Sequence, residues 1–247
     1  MPSSELPAAA SARPAAAIAA PVPRDAAHGD SWRVAAWLRA CFWLKAVGIT
    51  AFMWLFFVGY FHLLRQPWRP PLQMPLTAVD DWVGFQAWAL WPYLSLWVYV
   101  VLPPALMPGA RELIRYGWWV GGLCLAGLAC FYLWPTAIPP QEVGTGHAGF
   151  DVLRGVDAAG NACPSMHVAT AAFSALWIDR LLRDLLLPRL LGVVNVGWFA
   201  LIVWSTMAVK QHVWWDVVAG LLLALVIGLP SLRGWVERRR GDRIAAR

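Results

Sequence analysis

The chain has 247 residues, of which 60% are hydrophobic and only 14% are charged, and its mean hydropathy is +0.54. A soluble domain is closer to half apolar and a quarter charged, so this composition excludes an ordinary soluble protein. The formal net charge of +6 would suit a nucleic-acid-binding protein, but the basic residues are distributed as in a membrane protein.

The first 43 residues precede the apolar part of the chain. Residues 1–30 are rich in Ala, Pro and Ser without apolar periodicity, and we expect them to form a disordered tail. Residues 31–43 mix tryptophan with arginine, which is typical of a short amphipathic helix at the membrane interface. The residues concerned are Trp32, Arg33, Trp37, Arg39 and Trp43.

Six long apolar runs follow, each close to the ~20 residues that an α-helix needs to cross a bilayer. They cover residues 44–62, 90–108, 116–135, 167–187, 190–209 and 212–230. The pattern predicts an all-α integral membrane protein in which residues 44–232 form a six-transmembrane-helix bundle and catalytic domain. Residues 233–247 then form a basic cytoplasmic tail.

The basic residues are divided unevenly between the two sides of such a bundle. If both termini are cytoplasmic, the only members of the 20 basic residues on the outer side are Arg65, Arg69, Arg154 and Lys210. This positive-inside pattern predicts cytoplasmic termini and a site on the extracytoplasmic face, with membrane lipids and not nucleic acid as partners. A compact chain without retention signals favours a bacterial inner membrane, where that face is periplasmic.

Polar residues collect in two long outward segments, 63–89 and 136–166, whereas the inward loops are short. Function is therefore expected on the outer face. The four cysteines show neither the spacing of a metal site nor a disulfide framework.

The last apolar run begins with His212 and Asp216. A carboxylate inside an apolar helix is costly to bury and needs a partner, and the residue four positions earlier lies on the same helix face. Asp216 is therefore expected to hold one imidazole nitrogen of His212 and leave the other as a nucleophile or base. The alternative is a hydrogen-bonded pair that only orients the helix.

A second histidine, His167, begins the fourth apolar run. Pro164 suits the first turn of a helix, where its missing N–H costs nothing. The amides at this helix start, including that of Ser165, would face outward at a positive helix end and form an anion site. The alternative is a capped helix start with an incidental histidine.

Two basic residues on the same face complete the set. Lys210 lies two residues before His212, and Arg154 lies in the loop that leads to His167. Either cation could neutralise a phosphate, although a lone outward cation can also be merely solvated.

Two histidines, an aspartate and cations at one face fit phosphoryl transfer. His212 would attack phosphorus and form a phosphohistidine, and His167 would protonate the leaving oxygen and then activate the incoming water or alcohol. The two side chains should then face each other roughly 4–8 Å apart. No metal or cofactor is required, and the sequence lacks a carboxylate cluster that would hold Mg²⁺.

Over about residues 44–230 the chain resembles the type 2 phosphatidic acid phosphatase superfamily of lipid phosphatases and phosphotransferases. That family shows Pro-Ser-Gly-His in one motif and Ser-Arg-x5-His-x3-Asp in another. The corresponding residues here are Pro164-Ser165-Met166-His167 and Ser205-Thr206-x5-His212-x3-Asp216. The resemblance implies that His212 is the nucleophile, Asp216 its orienting carboxylate and His167 the acid and base. It also implies that Ser165 binds phosphate.

The sequence departs from the family pattern where the family binds phosphate. Met166 replaces the glycine, Thr206 replaces the arginine, and the Lys-x6-Arg-Pro motif is missing from the loop before the first motif. These departures resemble the branch that includes inositol phosphorylceramide and sphingomyelin synthases. They leave Arg154 and Lys210 as the substitute phosphate-binding cations.

The sequence therefore predicts a membrane-embedded lipid phosphatase or phosphotransferase that acts on a lipid-linked phosphate. One alternative is a transferase that passes a phospho-headgroup to a lipid alcohol, and only the acceptor that reaches the phosphohistidine distinguishes the two. Another is a non-catalytic transporter or scaffold, but the broken helices or repeated halves typical of a transporter are not visible in the sequence. The lipid, the headgroup and the oligomeric state stay open.

Overall fold

The computed structural model describes residues 31–140 and 160–245, and these residues are mostly helical. The helices are α1 (Ser31–Arg39), α2 (Phe42–Arg65), α3 (Ala78–Trp82), α4 (Leu90–Ala105), α5 (Ala110–Leu133), α6 (Met166–Asp184), α7 (Arg189–Ala208) and α8 (Trp214–Ala245). A 3₁₀ turn at Ala87–Ala89 leads into α4, and two short strands are β1 (Leu72–Gln73) and β2 (Thr136–Ala137). The predicted tail, residues 1–30, lies outside the described residues.

The six predicted apolar runs fall on six long helices, α2 and α4 to α8. Among the described residues, the helices long and apolar enough to cross a membrane are Phe42–Arg65, Ala110–Leu133, Arg189–Ala208 and Trp214–Arg238. Helix α4 has 16 residues, a length of about 24 Å against a hydrocarbon core of about 30 Å. Helix α6 carries charged residues in its last turns. Length and composition thus support four of the six predicted spans.

The helices at the two ends of the described chain are α1 and α8. Within residues 31–43 the chain forms α1, and Cys41, in the left-handed conformation at φ 53°, separates this helix from α2. At the other end, α8 runs on to Ala245 without a break at residue 233. The arginines and glutamate of the predicted basic tail are good helix formers, so the helix continues through them.

Helix α6 is the centre of the bundle and packs against α4, α5, α7 and α8. Ala169 and Ala171 are fully buried on it, and such small side chains let neighbouring helices approach closely. Further along, the indole N–H of Trp177 donates to the hydroxyl of Ser231 on α8 at 3.0 Å. This bond satisfies two buried polar groups that lipid could not.

The two long polar segments of the sequence, 63–89 and 136–166, are joined above the start of α6 by the two short strands. Strands β1 and β2 pair in parallel, with Leu72 opposite Thr136 and Gln73 opposite Ala137. The Thr136 hydroxyl accepts a hydrogen bond from the amide of Cys163 at 2.8 Å, two residues before the N-cap of α6. Both outward segments therefore help to fix the beginning of the central helix.

Candidate active site

His212 lies in the short turn between α7 and α8. The turn reverses at Lys210, whose φ of 60° is uncommon for a residue other than glycine. The amides of Gln211 and His212 both donate to the carbonyl of Thr206, each at 3.1 Å. Thr206 thus ties the turn to the end of α7 through its main chain.

His212 and Asp216 contact each other as predicted, although not on one helix face. His212 precedes the first residue of α8, and its Nδ1 lies 3.0 Å from Oδ2 of Asp216. The other carboxylate oxygen accepts the amide of Val213 at 2.9 Å, as an acidic residue does in the first turn of a capped helix. Asp216 is fully buried and His212 is 7% exposed, so the carboxylate fixes both the imidazole and the helix start.

His167, near the start of α6, completes a hydrogen-bonded series. Its Nδ1 lies 3.1 Å from Nε2 of His212, and its Nε2 lies 2.8 Å from the hydroxyl of Tyr93 on α4. A carboxylate accepts, so His212 donates from Nδ1 to Asp216 and its Nε2 keeps a lone pair. That lone pair accepts from Nδ1–H of His167. The order is therefore Tyr93, His167, His212, Asp216.

The two histidines face each other with ring centroids 5.2 Å apart, within the expected spacing, but their facing nitrogens are already in hydrogen-bond contact at 3.1 Å. A phosphorus atom approached by Nε2 of His212 would need the position that Nδ1–H of His167 holds. In-line attack therefore requires the His167 side chain to turn away from His212.

Tyr93 is a site residue that the sequence did not reveal. Its side chain is 2% exposed, and its ring lies 4.8 Å from the imidazole of His167 between centroids. A buried tyrosine hydroxyl usually has a partner, so its place in an apolar run was a usable signal. The partner could not be named, because Tyr93 and His167 are on different helices with no fixed spacing between them.

Ser165 is the N-cap of α6, but its amide does not face outward as predicted. The hydroxyl oxygen accepts the amide of Val168 at 3.2 Å, and the Ser165 amide donates to the carbonyl of Asp216 at 2.9 Å. Gly220 lies directly against this point, where an added Cβ would come within 2.5 Å of the Ser165 carbonyl oxygen. Ser165 therefore ties α6 to α8, and Gly220 permits that close approach.

The Met166 side chain has room because Gly127, on the neighbouring helix α5, has no side chain. Met166 is buried, and a Cβ at Gly127 of α5 would collide with its side chain. The space that the Met166 side chain occupies is thus the space that a side chain at position 127 would need.

The structure describes Lys210 but not Arg154, the two residues predicted to bind phosphate as cations. The Lys210 ammonium donates to the carbonyls of Asp80 at 2.9 Å and Val83 at 2.6 Å, so it is bound to the first outward segment and is not a merely solvated side chain. Arg154 lies outside the described residues.

Asp80 is a second residue that the sequence did not single out. Its Oδ1 accepts the amide of Trp214, the first residue of α8, at 2.7 Å. Its Oδ2 accepts the Thr77 amide and hydroxyl at 2.8 and 2.7 Å. Together with the Lys210 contacts, these bonds attach α3 to the turn that carries His212. The pattern Thr77-x-x-Asp80 is a capping-box signal that could have located α3 but not its docking place.

An apolar cavity of about 750 Å³ adjoins the histidines. Helices α2, α4, α5 and α6 line it, and His167, His212 and Tyr93 lie among its lining residues. Most of the remaining lining is aliphatic and aromatic. In the described ranges, no group of three or more His, Cys, Asp or Glu residues is placed to hold a metal ion.

Cys163 lies in the segment that leads to Ser165 and is half-buried. Desolvation by burial is the main effect that raises the pKa of its thiol to about 11, and the charge of Asp216 raises it further in the same direction. The thiol is therefore protonated, and a weak nucleophile, at neutral pH.

Comparison with known protein families gives one match. The PAP2 superfamily profile matches residues 132–240, somewhat less than half of the chain, and that segment contains His167, His212 and Asp216. The match indicates phosphatase or phosphotransferase activity on phosphate esters. No curated protein and no solved structure gave a significant match to the chain.

Proposed function

We propose that the chain is a six-helix integral membrane enzyme that hydrolyses or transfers the phosphoryl group of a lipid-linked phosphate. One observation carries this proposal: a hydrogen-bonded series of Tyr93, His167, His212 and Asp216 stands at one end of an apolar cavity. The imidazoles suit attack on phosphorus, and the cavity suits a hydrocarbon tail. The PAP2 match supports the class of reaction.

The reaction begins when His167 takes up a proton on Nε2 from solvent, turns from His212 and exposes the lone pair on Nε2 of His212. Nε2 of His212 attacks phosphorus, the bond from phosphorus to the lipid oxygen breaks, and the His167 imidazolium gives its Nδ1 proton to that oxygen and becomes neutral. The products of this step are a lipid alcohol and a phosphohistidine. Water then gives a proton to His167 and its oxygen bonds to phosphorus, so phosphate leaves and His212 is restored. Asp216 stabilises the positive charge on the His212 ring throughout.

Tyr93 is assigned the role of keeping Nδ1 of His167 as the nitrogen that gives and takes the proton. In the resting site its hydroxyl donates to Nε2, so the single proton of neutral His167 lies on Nδ1; in the imidazolium, Nε2–H donates to the same oxygen and Nδ1–H is the proton to be given. Nδ1 is the nitrogen directed at His212 and hence at the departing oxygen. Tyr93 acts through His167 and is a positioning residue.

Phosphate binding is assigned to Ser165, Arg154 and Lys210. The Ser165 hydroxyl accepts from the helix amide and still has its own proton to donate. Lys210 uses two of its three donors on carbonyls, and the third remains for a phosphate oxygen. Arg154 supplies the bidentate cation that Thr206 cannot replace.

The membrane arrangement follows from charge placement. The charged residues of α6 fall in its last turns, where they would lie at the cytoplasmic interface while the apolar part of the helix crosses. The 3₁₀ turn before α4 lengthens that short helix. With α4 and α6 included, residues 44–232 form six spans with both termini cytoplasmic. The distribution of basic residues supports a site on the extracytoplasmic side, which in a bacterial inner membrane is the periplasmic side.

Transfer to a lipid alcohol is the second candidate reaction. The reactive imidazole of His212 is only 7% exposed and faces an apolar cavity, which limits the approach of water. An alcohol carried on a lipid would reach the phosphohistidine from the same cavity. In that case the alcohol takes the place of water in the second step.

The test is incubation of the purified protein with a panel of lipid phosphates, with and without lipid alcohols. Phosphate release and new phospholipid are measured together, and a labelled phosphoenzyme is trapped at early times. We expect His212→Ala to abolish the phosphoenzyme, whereas His62→Ala, at an exposed histidine of α2, leaves it intact. Normal turnover by His212→Ala, or no reaction on any substrate of the panel, would contradict the proposal.

A further inference from the structure

We propose that the apolar cavity selects substrates by the length of their hydrocarbon tail, and that Gly117 of α5 and Gly48 of α2 keep its inner end open. This inference rests on the proposed function for the identity of the head group. It adds which tail is accepted and which residues decide this.

The cavity extends far from the histidines along the helices. On α4 its lining includes Tyr93, which contacts His167, and Pro104, eleven residues later. A helix rises about 1.5 Å per residue, so these two levels are about 16 Å apart. On α5, Gly127 contacts the neighbour of His167, and Gly117 lies ten residues earlier, about 15 Å away. Helices α4 and α5 thus each give a cavity depth of about 15 Å.

That depth is about half of the ~30 Å hydrocarbon core of a bilayer. Half of the core is one leaflet, which the tails of ordinary membrane lipids fill. A phosphate at the histidines would therefore carry a tail that extends to the level of Gly117 in the cavity. A tail of half that length would end near Trp97 and Phe57, which line its upper part.

Gly117 and Gly48 leave the inner end of the cavity open. Both line the cavity, and a Cβ added at either would meet no other atom within 4 Å. A leucine there would extend into the path of a long tail without striking the protein itself. Gly122 offers a matched control on the same helix, since its Cβ also meets nothing within 4 Å and it does not line the cavity.

The occupant is a tail of the substrate because the cavity joins a polar, reactive end to an apolar body. Two histidines and a tyrosine hydroxyl occupy one end, while the other end is lined by Leu44, Leu113 and Ile114. A molecule that fits both ends must itself have one polar head and a long apolar part. A helix of another protein would match the apolar part but leave the histidines without a partner of suitable chemistry.

The experiment compares octyl phosphate and hexadecyl phosphate as substrates in mixed micelles of constant composition. For Gly117→Leu, we expect kcat/KM on hexadecyl phosphate to fall about tenfold or more, the scale of overpacking an apolar site. Its kcat/KM on octyl phosphate should stay within about twofold of the unmodified protein. Gly122→Leu should change neither value. Equal losses on both substrates, or no loss on hexadecyl phosphate, would overturn the proposal.

A second measurement does not depend on turnover or on a variant. A hexadecyl phosphonate with a photoreactive group at the tail end is cross-linked to the unmodified protein, and the labelled residues are mapped. The octyl analogue serves as the comparison. We expect the long probe to label the level of Gly117 and the short probe the level of Trp97. Labels scattered over the outer surface would overturn the cavity proposal even if phosphate is released, whereas ordered labelling without hydrolysis would overturn only the proposed reaction.

Discussion

At the scale of single residues, the contact between His167 and His212 determines how the proposed reaction would begin. The proton on Nδ1 of His167 is held by the lone pair that would attack phosphorus. A substrate phosphate has to replace this hydrogen bond with its own contacts. The same proton is then available for the leaving oxygen, so one movement both exposes the nucleophile and delivers the acid.

Replacing Tyr93 with phenylalanine tests the positioning of His167. The hydroxyl that fixes the tautomer is lost, while the ring that packs against the imidazole is kept. We expect kcat to fall about tenfold for an alkyl phosphate, whose leaving oxygen needs the proton. A nitrophenyl phosphate leaves without much protonation and should be affected less than about threefold. Equal losses on both esters, measured by phosphate release, would indicate a merely structural role.

The Cys163 thiol gives a test based on pH. Its pKa is raised from 9.0 to about 11, and only the thiolate reacts with a maleimide. The variant has Cys163 as its only cysteine. Its labelling rate at pH 8 should be roughly a hundredfold lower than that of a thiol with an unshifted pKa. The rate should rise about tenfold per pH unit toward pH 11. A variant that keeps only the exposed Cys41 is the control. A rate for Cys163 that levels off above pH 9, as that of an unshifted thiol does, would show that the pKa is not raised.

The sequence predicted the residues of the site better than their contacts. His212 and Asp216 were paired because a buried carboxylate needs a partner, and the structure pairs them, although His212 lies before the helix. Tyr93 was missed because its partner is on a distant helix. Lys210 was interpreted as an outward cation because nothing in the sequence places the carbonyls of Asp80 and Val83 beside it.

At the scale of the helices, the crossing of α6 and α8 sets the distance between the two histidines. The helices meet where Gly220 lies against the main chain of Ser165 and Ala169. Main-chain atoms of a packed helix cannot move aside as a flexible side chain can. The single missing Cβ at Gly220 therefore controls how near His167 lies to His212.

Gly220→Ala should separate the two helices at the site. The added Cβ would lie 2.5 Å from the Ser165 carbonyl oxygen, so α6 must shift. We expect a loss of about 1–3 kcal/mol in stability and a fall in kcat/KM of roughly a hundredfold, as for a misplacement of about 1 Å. Thermal unfolding and phosphate release measure the two effects.

Gly197→Ala is the control for that variant. Gly197 lies in α7, where a Cβ would meet no atom within 4 Å. Alanine should stabilise the helix slightly and leave turnover unchanged. If Gly220→Ala behaves like Gly197→Ala, the close approach of the helices does not limit the reaction.

The sequence predicted where the long helices lie but not where each helix begins and ends. Apolar runs of sufficient length located α2 and α4 to α8, because a helix satisfies the backbone polar groups of an apolar segment within the segment itself. The run at 212–230 did not reveal that α8 extends to Ala245, since the charged residues that follow are equally compatible with a helix or a tail. The start of α8 at Trp214 depends on the cap from Asp80, which is distant in sequence.

At the scale of the whole molecule, the unequal distribution of basic residues predicts the orientation. A reporter fused after Arg247 should be cytoplasmic, and one inserted near Gly146 should be extracytoplasmic, because cytoplasmic loops retain most of the Lys and Arg. Paired enzymatic reporters active on opposite sides of the membrane make the measurement. Finding both fusions on the same side would rule out an odd number of spans between them, and with it the proposed placement of the site.

The fit of Met166 against Gly127 has a consequence for how such proteins can diverge. Either residue alone limits what the other position can become, since a side chain at 127 would collide with Met166. A lineage that acquires glycine at 166 would be released from that limit and could acquire alanine or a larger residue at 127. The order of the two changes matters, because the enlargement at 127 is tolerated only after the reduction at 166. Historical substitutions at these two sites should therefore occur as an ordered pair and not independently.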